Sequence, residues 1–123
     1  MSHVNSDSIK HIKTPTKIPV PGGKLIEEFI GRVNSGEADV SVAHMIAPPQ
    51  WGEEPQTPAF DEITIMLRGR MQIETPNETI VLSAGEVFMS RKGVKVCYSN
   101  PFDEENEYWA VCFPAFSVEL AGR

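Results

Sequence analysis

Cysteine, positive charge and long apolar runs are all scarce in this chain of 123 residues. Only Cys97 and Cys112 occur, too few for a disulfide framework and without zinc-ligand spacing, so both are expected to be small buried apolar residues. Lysine and arginine total 11 against 17 aspartates and glutamates, a formal charge of −6 that argues against nucleic acid as the partner. No apolar run approaches the ~20 residues needed to cross a bilayer. The polar first dozen residues lack the apolar centre of a signal peptide, so a cytoplasmic chain without a membrane partner is expected. Internal repeats and low-complexity tracts are absent as well, and the length suits one domain.

Helical periodicity is missing from residue 59 onward. Short runs, "EITIMLR", "RMQIE", "TIVL", "EVFMS", "VKVCYS" and "EYWAVCFP", are separated by Gly69, Pro76-Asn77, Ala84-Gly85, Lys92-Gly93 and Asn100-Pro101. This spacing predicts an all-β sandwich or barrel and excludes a parallel βαβ architecture. Seven of the ten prolines fall before residue 60, which assigns the irregular connections to the first half. Residues 1–13 read as a flexible or extended arm, "TPTKIPVPGG" (14–23) as an edge segment, and "APPQWGEEPQTP" (47–58) as a loop. In "KLIEEFIGRVNSG" (24–36) the apolar positions fit helical spacing, but context favours a strand. "ADVSVAHMI" (38–46) alternates clearly, with Val40, Val42, His44 and Ile46 on one face and Ser41, Ala43 and Met45 on the other.

Six residues separate Glu62 from Gly69, seven separate Gly85 from Gly93, and six separate Gly93 from Asn100. This frame resembles the two motifs of the cupin family. Within it, "DEITIMLRGRMQI", "ETIVLSAGEVFMSRKG" and "YWAVCFPAFS" look most like the ethanolamine-utilisation Q-type branch. A shorter similarity is to small metal-independent cupin dehydratases, which share the length, the glycine frame, a "PAF" ending, a histidine on the strand before the first motif, and a tyrosine where Tyr98 stands. The resemblance implies a cupin-type jelly-roll β-barrel, a double-stranded β-helix, over residues 14–123, and a homodimer. The departures matter more. Cupin metal sites use two histidines before the glutamate and one in the second motif, and here those positions fall among Pro55, Gln56, Thr57 and Pro58 and on Val96, while Arg91 replaces the motif proline. One carboxylate without an imidazole is too few ligands for a catalytic metal, so no metal and no cofactor are expected.

Strand parity then groups the side chains. Thr64 and Met66 share the face of Glu62, with Ile63, Ile65 and Leu67 opposite, and Val94, Val96 and Tyr98 share a face on the second-motif strand. The family position of Glu62 points it into the barrel mouth beside Tyr98. His44 joins them if the Val40, Val42, His44 face is the inner one, and a pKa of ~6.5 makes it the natural acid-base group. The expected catalytic set is therefore His44, Glu62 and Tyr98, with Lys17, Trp51, Gln56, Thr64, Trp109 and Glu119 holding substrate. Whether Trp109, Val111 and Phe113 or Tyr108, Ala110 and Cys112 face the core is left open by alternation alone. Glu62 itself needs a ligand, a histidine, a basic neighbour such as Arg68, or a proton. The function expected is metal-independent lyase (dehydratase) or isomerase chemistry on a small polar organic molecule. The alternative is a non-catalytic small-molecule-binding or microcompartment-associated accessory protein.

Overall fold

The structure is a computed structural model that describes residues 8–122, so residues 1–7 of the expected arm lie outside the described residues. The strands are β1 (Thr16–Lys17), β2 (Leu25–Ile30), β3 (Ser41–Ala47), β4 (Trp51–Gly52), β5 (Asp61–Arg68), β6 (Arg70–Glu74), β7 (Thr79–Ser83), β8 (Val87–Ser90), β9 (Cys97–Asn100) and β10 (Asn106–Phe113), followed by a short helix α1 (Val118–Ala121). They form a six-stranded sheet ordered β1-β2-β3-β10-β5-β8 and a four-stranded sheet ordered β4-β9-β6-β7. Each run expected after residue 59 is a strand at nearly the expected place, and 24–36 opens as the strand β2. The proline-rich segment does supply an edge, because β1 ends the larger sheet. Among the described residues, no helix is long and apolar enough to cross a membrane.

Gly69 explains the spacing from Glu62. β5 belongs to one sheet and β6 to the other, and this single residue carries the chain between them. Its φ of 76° lies in the left-handed region, and a Cβ there would sit 2.7 Å from the Glu105 carbonyl oxygen. Asn100 is structural in the same way. Its Nδ2 donates to the carbonyls of Pro48 (3.1 Å) and Glu104 (2.9 Å), joining the β3–β4 connection to the β9–β10 turn.

Met66, Met71, Ile73, Leu82, Val96, Tyr98, Tyr108 and Ala110 pack between the sheets. A second cluster, Phe60, Cys112 and Ala121 with Phe116 and Leu120, lies under α1. This helix was not expected. Ser117 caps it through a bond from the Leu120 amide (3.2 Å), and it docks on the bend leading into β5 through Ala59 N to Leu120 O (2.7 Å). The expected loop 47–58 also contains a short strand, β4, paired with β9.

Parity within β5 is as the alternation predicted, with Thr64 and Met66 buried and Leu67 exposed; of the face expected to hold Val94, Val96 and Tyr98, Val96 just ahead of β9 and Tyr98 within it are buried, while Val94 is exposed. In β10 the buried set is Tyr108, Ala110 and Cys112. In β3 the inner face carries Ser41, Ala43, Met45 and Ala47, so the face of Val42, His44 and Ile46 is the outer one. The physical reason is the space between the sheets. A hollow barrel needs small residues on its inner wall, and the larger apolar side chains of β3 therefore turn outward.

Candidate functional site

A cavity of about 530 Å³ lies between the sheets, bounded by the inner faces of β2, β3, β5 and β10, by β9, by Trp51–Gln56 of the incoming loop, and by the segment Ile18–Pro21. Glu62 sits on its wall near the start of β5. Tyr98 Oη donates to Glu62 Oε1 (3.1 Å), and Cys112 Sγ lies 3.6 Å from Oε2 as a weak donor. Register explains the convergence. Glu62 is the Cα partner of Cys112 across the β5–β10 ladder, so their side chains leave the sheet on the same face.

Burial pushes the Glu62 carboxyl above its ordinary range, opposed by the Tyr98 hydrogen bond and the charge of Lys24. Burial also raises the Tyr98 phenol, and the neighbouring Glu62 charge raises it further. The Cys112 thiol is raised for the same two reasons. Both neighbours therefore keep their protons and serve as donors, and the group that gains or loses a proton most readily in this trio is Glu62.

Trp51, Gln56 and Thr64 line the same cavity and are buried. Lys24, absent from the expected set, brings its Nζ to 4.2 Å from the Trp51 ring centroid and 5.3 Å from that of Tyr108. Cys112, Tyr108 and Lys24 escaped the sequence reading for different reasons. The first two belong to a strand whose inward face alternation left open, and Lys24 stands at a strand start beside two glycines with no pattern to mark it.

Four expected site residues do not join the cavity. Lys17 pairs with Glu27, Glu27 with His44, and His44 with Trp109 across successive strands, so three of the four, Lys17, His44 and Trp109, project with Glu27 from the outer face of the larger sheet. There His44 Nδ1 meets Glu27 Oε1 at 3.1 Å and Nε2 meets Glu107 Oε2 at 2.6 Å, with the Trp109 ring 5.2 Å away. Glu119 is exposed on α1. Arg68 is no partner of Glu62 either: it binds Glu105 (2.9 Å) and Glu107 (3.3 Å) on the surface.

The donor set does not fit the metal that cupins of this frame hold. The backbones of Gln56 and Val96 bond each other, N to O at 2.9 Å in both directions, so two of the positions where histidines would stand do come together, but they bring an amide and an isopropyl group. Metal ligation needs deprotonated donors, and Glu62 is surrounded instead by a phenol and a thiol that hold their protons. Among the described residues, no group of three or more His, Cys, Asp or Glu is placed to hold an ion.

No family model matches the chain. A Myxococcus xanthus (strain DK1622) protein named endoribonuclease YbeY is 44% identical over 104 residues, covering 85% of this chain; the chain spans only 35% of that protein's length. Among solved structures, an RmlC-like cupin from Shewanella frigidimarina NCIMB 400 superposes with a TM-score of 0.72 at 13% identity, over 87% of this chain and 93% of that one. The EutQ protein of Clostridium difficile gives 0.62 at 18% identity, over 77% and 72% respectively. With its two facing antiparallel sheets, its glycine frame and these neighbours, the chain is a cupin by fold.

Proposed function

We propose that the cavity binds a small organic molecule with polar groups on an apolar frame, and that Glu62 exchanges a proton with it in a lyase or isomerase reaction without a metal. The observation that carries this reading is a part-buried carboxyl on the wall of a ligand-sized cavity, displaced upward by desolvation and bonded to Tyr98. A carboxyl in that condition gives and takes a proton nearer neutral pH than an exposed one. Tyr98 fixes its orientation, while Trp51, Gln56 and Thr64 supply the apolar and hydrogen-bonding surface around the ligand. His44 is left out of the chemistry because it faces away from the cavity.

The test is a thermal-shift screen of metabolites, followed by proton NMR of each hit in D2O with wild type and Glu62→Gln. Deuterium uptake or product formation with wild type, lost in Glu62→Gln while binding persists, is the expected result. Unchanged turnover in Glu62→Gln would remove Glu62 from the mechanism. A second reading, binding without turnover, is favoured by the fact that both Glu62 oxygens already have donors within the protein. It predicts hits that bind with no exchange in either protein. The ribonuclease activity named for the Myxococcus protein is not proposed for this chain, because acidic residues outnumber basic ones by 17 to 11 and nucleic-acid affinity depends on lysine and arginine contacts to phosphate.

A further inference from the structure

Charge is distributed unevenly around the cavity. Among the described residues, the acidic and basic side chains on its lining are Glu28, Glu53, Glu54 and Glu62 against Lys24 alone. Glu28 is satisfied without being neutralised: its Oε2 accepts from the backbone amides of Val33 (2.9 Å) and Asn34 (2.8 Å), and neither brings a charge. Burial is the main cause that raises the Glu62 carboxyl and the Tyr98 and Tyr108 phenols. The Glu53 charge adds to it at all three, with Tyr98 and Lys24 opposing it at Glu62. The field of Glu53 therefore reaches across the cavity. With Glu62 counted as protonated, three carboxylates still face one ammonium.

The aromatic side chains point the same way. Trp51 and Tyr108 hold the Lys24 ammonium at 4.2 Å and 5.3 Å from their ring centroids, so this wall already accommodates a positive nitrogen. On the side of Cys112, Phe60 and Phe116 add an apolar flank. Resting on the reading of this cavity as a ligand site, we infer that its ligand is a small organic ammonium ion with an apolar body, its positive nitrogen held between Glu53 and Glu62. A low-dielectric cleft lined mainly by one sign of charge concentrates the opposite ion and rejects its own, so carboxylates of the same size are excluded. The ligand charge also prepares the chemistry. A protonated Glu62 cannot act as a base, whereas an ammonium beside it favours its anion. The displaced proton passes to solvent, and the carboxylate formed can take one from the ligand that has just entered. The base is thus switched on by the substrate itself.

Proton NMR titrations test this with butyl, cyclohexyl and benzyl frames, each carrying an ammonium, a carboxylate or a hydroxyl group, on wild type, Lys24→Met and Glu53→Gln. Circular dichroism establishes folding. The ammonium compounds are expected to bind wild type at least about tenfold more tightly than the matching carboxylates. Lys24→Met removes a competing cation and tightens them about threefold or more, and Glu53→Gln weakens them by a similar factor, while the alcohols respond to neither. Calorimetry in buffers of different ionisation enthalpy reads the proton: binding of an ammonium compound releases protons from wild type and none from Glu62→Gln. Preference for the carboxylates, or weaker ammonium binding in Lys24→Met, overturns this inference and leaves the ligand site standing. Failure of every compound to bind overturns both.

Discussion

A carboxyl taken out of water keeps its proton or finds donors, and Glu62 has both routes: burial favours the proton, while Tyr98 and Cys112 offer bonds to the anion. Because its value in the folded protein lies above the ordinary 4.5, folding is helped while the group is protonated in both states and loses that help as pH rises through the folded value. The melting temperature of Glu62→Gln, measured by calorimetry from pH 4 to 8, is therefore expected to gain on wild type by a few degrees as pH increases. A constant difference across the range would mean that Glu62 titrates normally. Tyr98→Phe removes the stronger donor to the carboxyl. It is expected to cost about 1–3 kcal/mol in urea unfolding and to steepen the loss of stability with pH, since the anion is then less well satisfied.

At the level of elements, the hinge between the sheets gives the sharpest expectation. Gly69→Ala forces a left-handed φ on a residue with a Cβ and drives that atom against the Glu105 carbonyl, so a loss on the order of 2 kcal/mol or more is expected in urea unfolding. A near-neutral result would show that the β9–β10 turn yields easily. This hinge was legible in the sequence, as were the strand runs and the parity of β5 and β9, because turn glycines and period-two alternation are local signals. The sidedness of β3 was not. Both of its faces are apolar enough to be buried, and the rule that larger apolar groups point inward reverses when the interior is a cavity walled by Ser41, Ala43 and Ala110. His44 was consequently assigned to the pocket, although its register partners Glu27 and Trp109 place it outside. Helix α1 left no periodic trace either, since it is a four-residue turn fixed by docking on Ala59 and by its Ser117 cap.

For the whole molecule, the excess of negative charge bears on what approaches it. Fluorescence anisotropy with single-stranded and structured RNA at physiological salt is expected to show no binding in the micromolar range; salt-sensitive binding would revive the ribonuclease reading. The strand order also matters, because β3 pairs with β10 and β10 with β5, so most of the larger sheet forms only when distant parts of the chain meet. The walls of the cavity inherit this difference in construction. Continuous ladders of the six-stranded sheet form the wall that carries Glu62, whereas the side made by Ile18–Pro21 follows a two-residue strand and contains Pro19 and Pro21, which have no amide hydrogen to give. Substitutions within Ile18–Pro21 would therefore reshape the cavity without touching the β5–β10 register that places Glu62, so the outline of the pocket and its acidic wall are set by separate stretches of sequence.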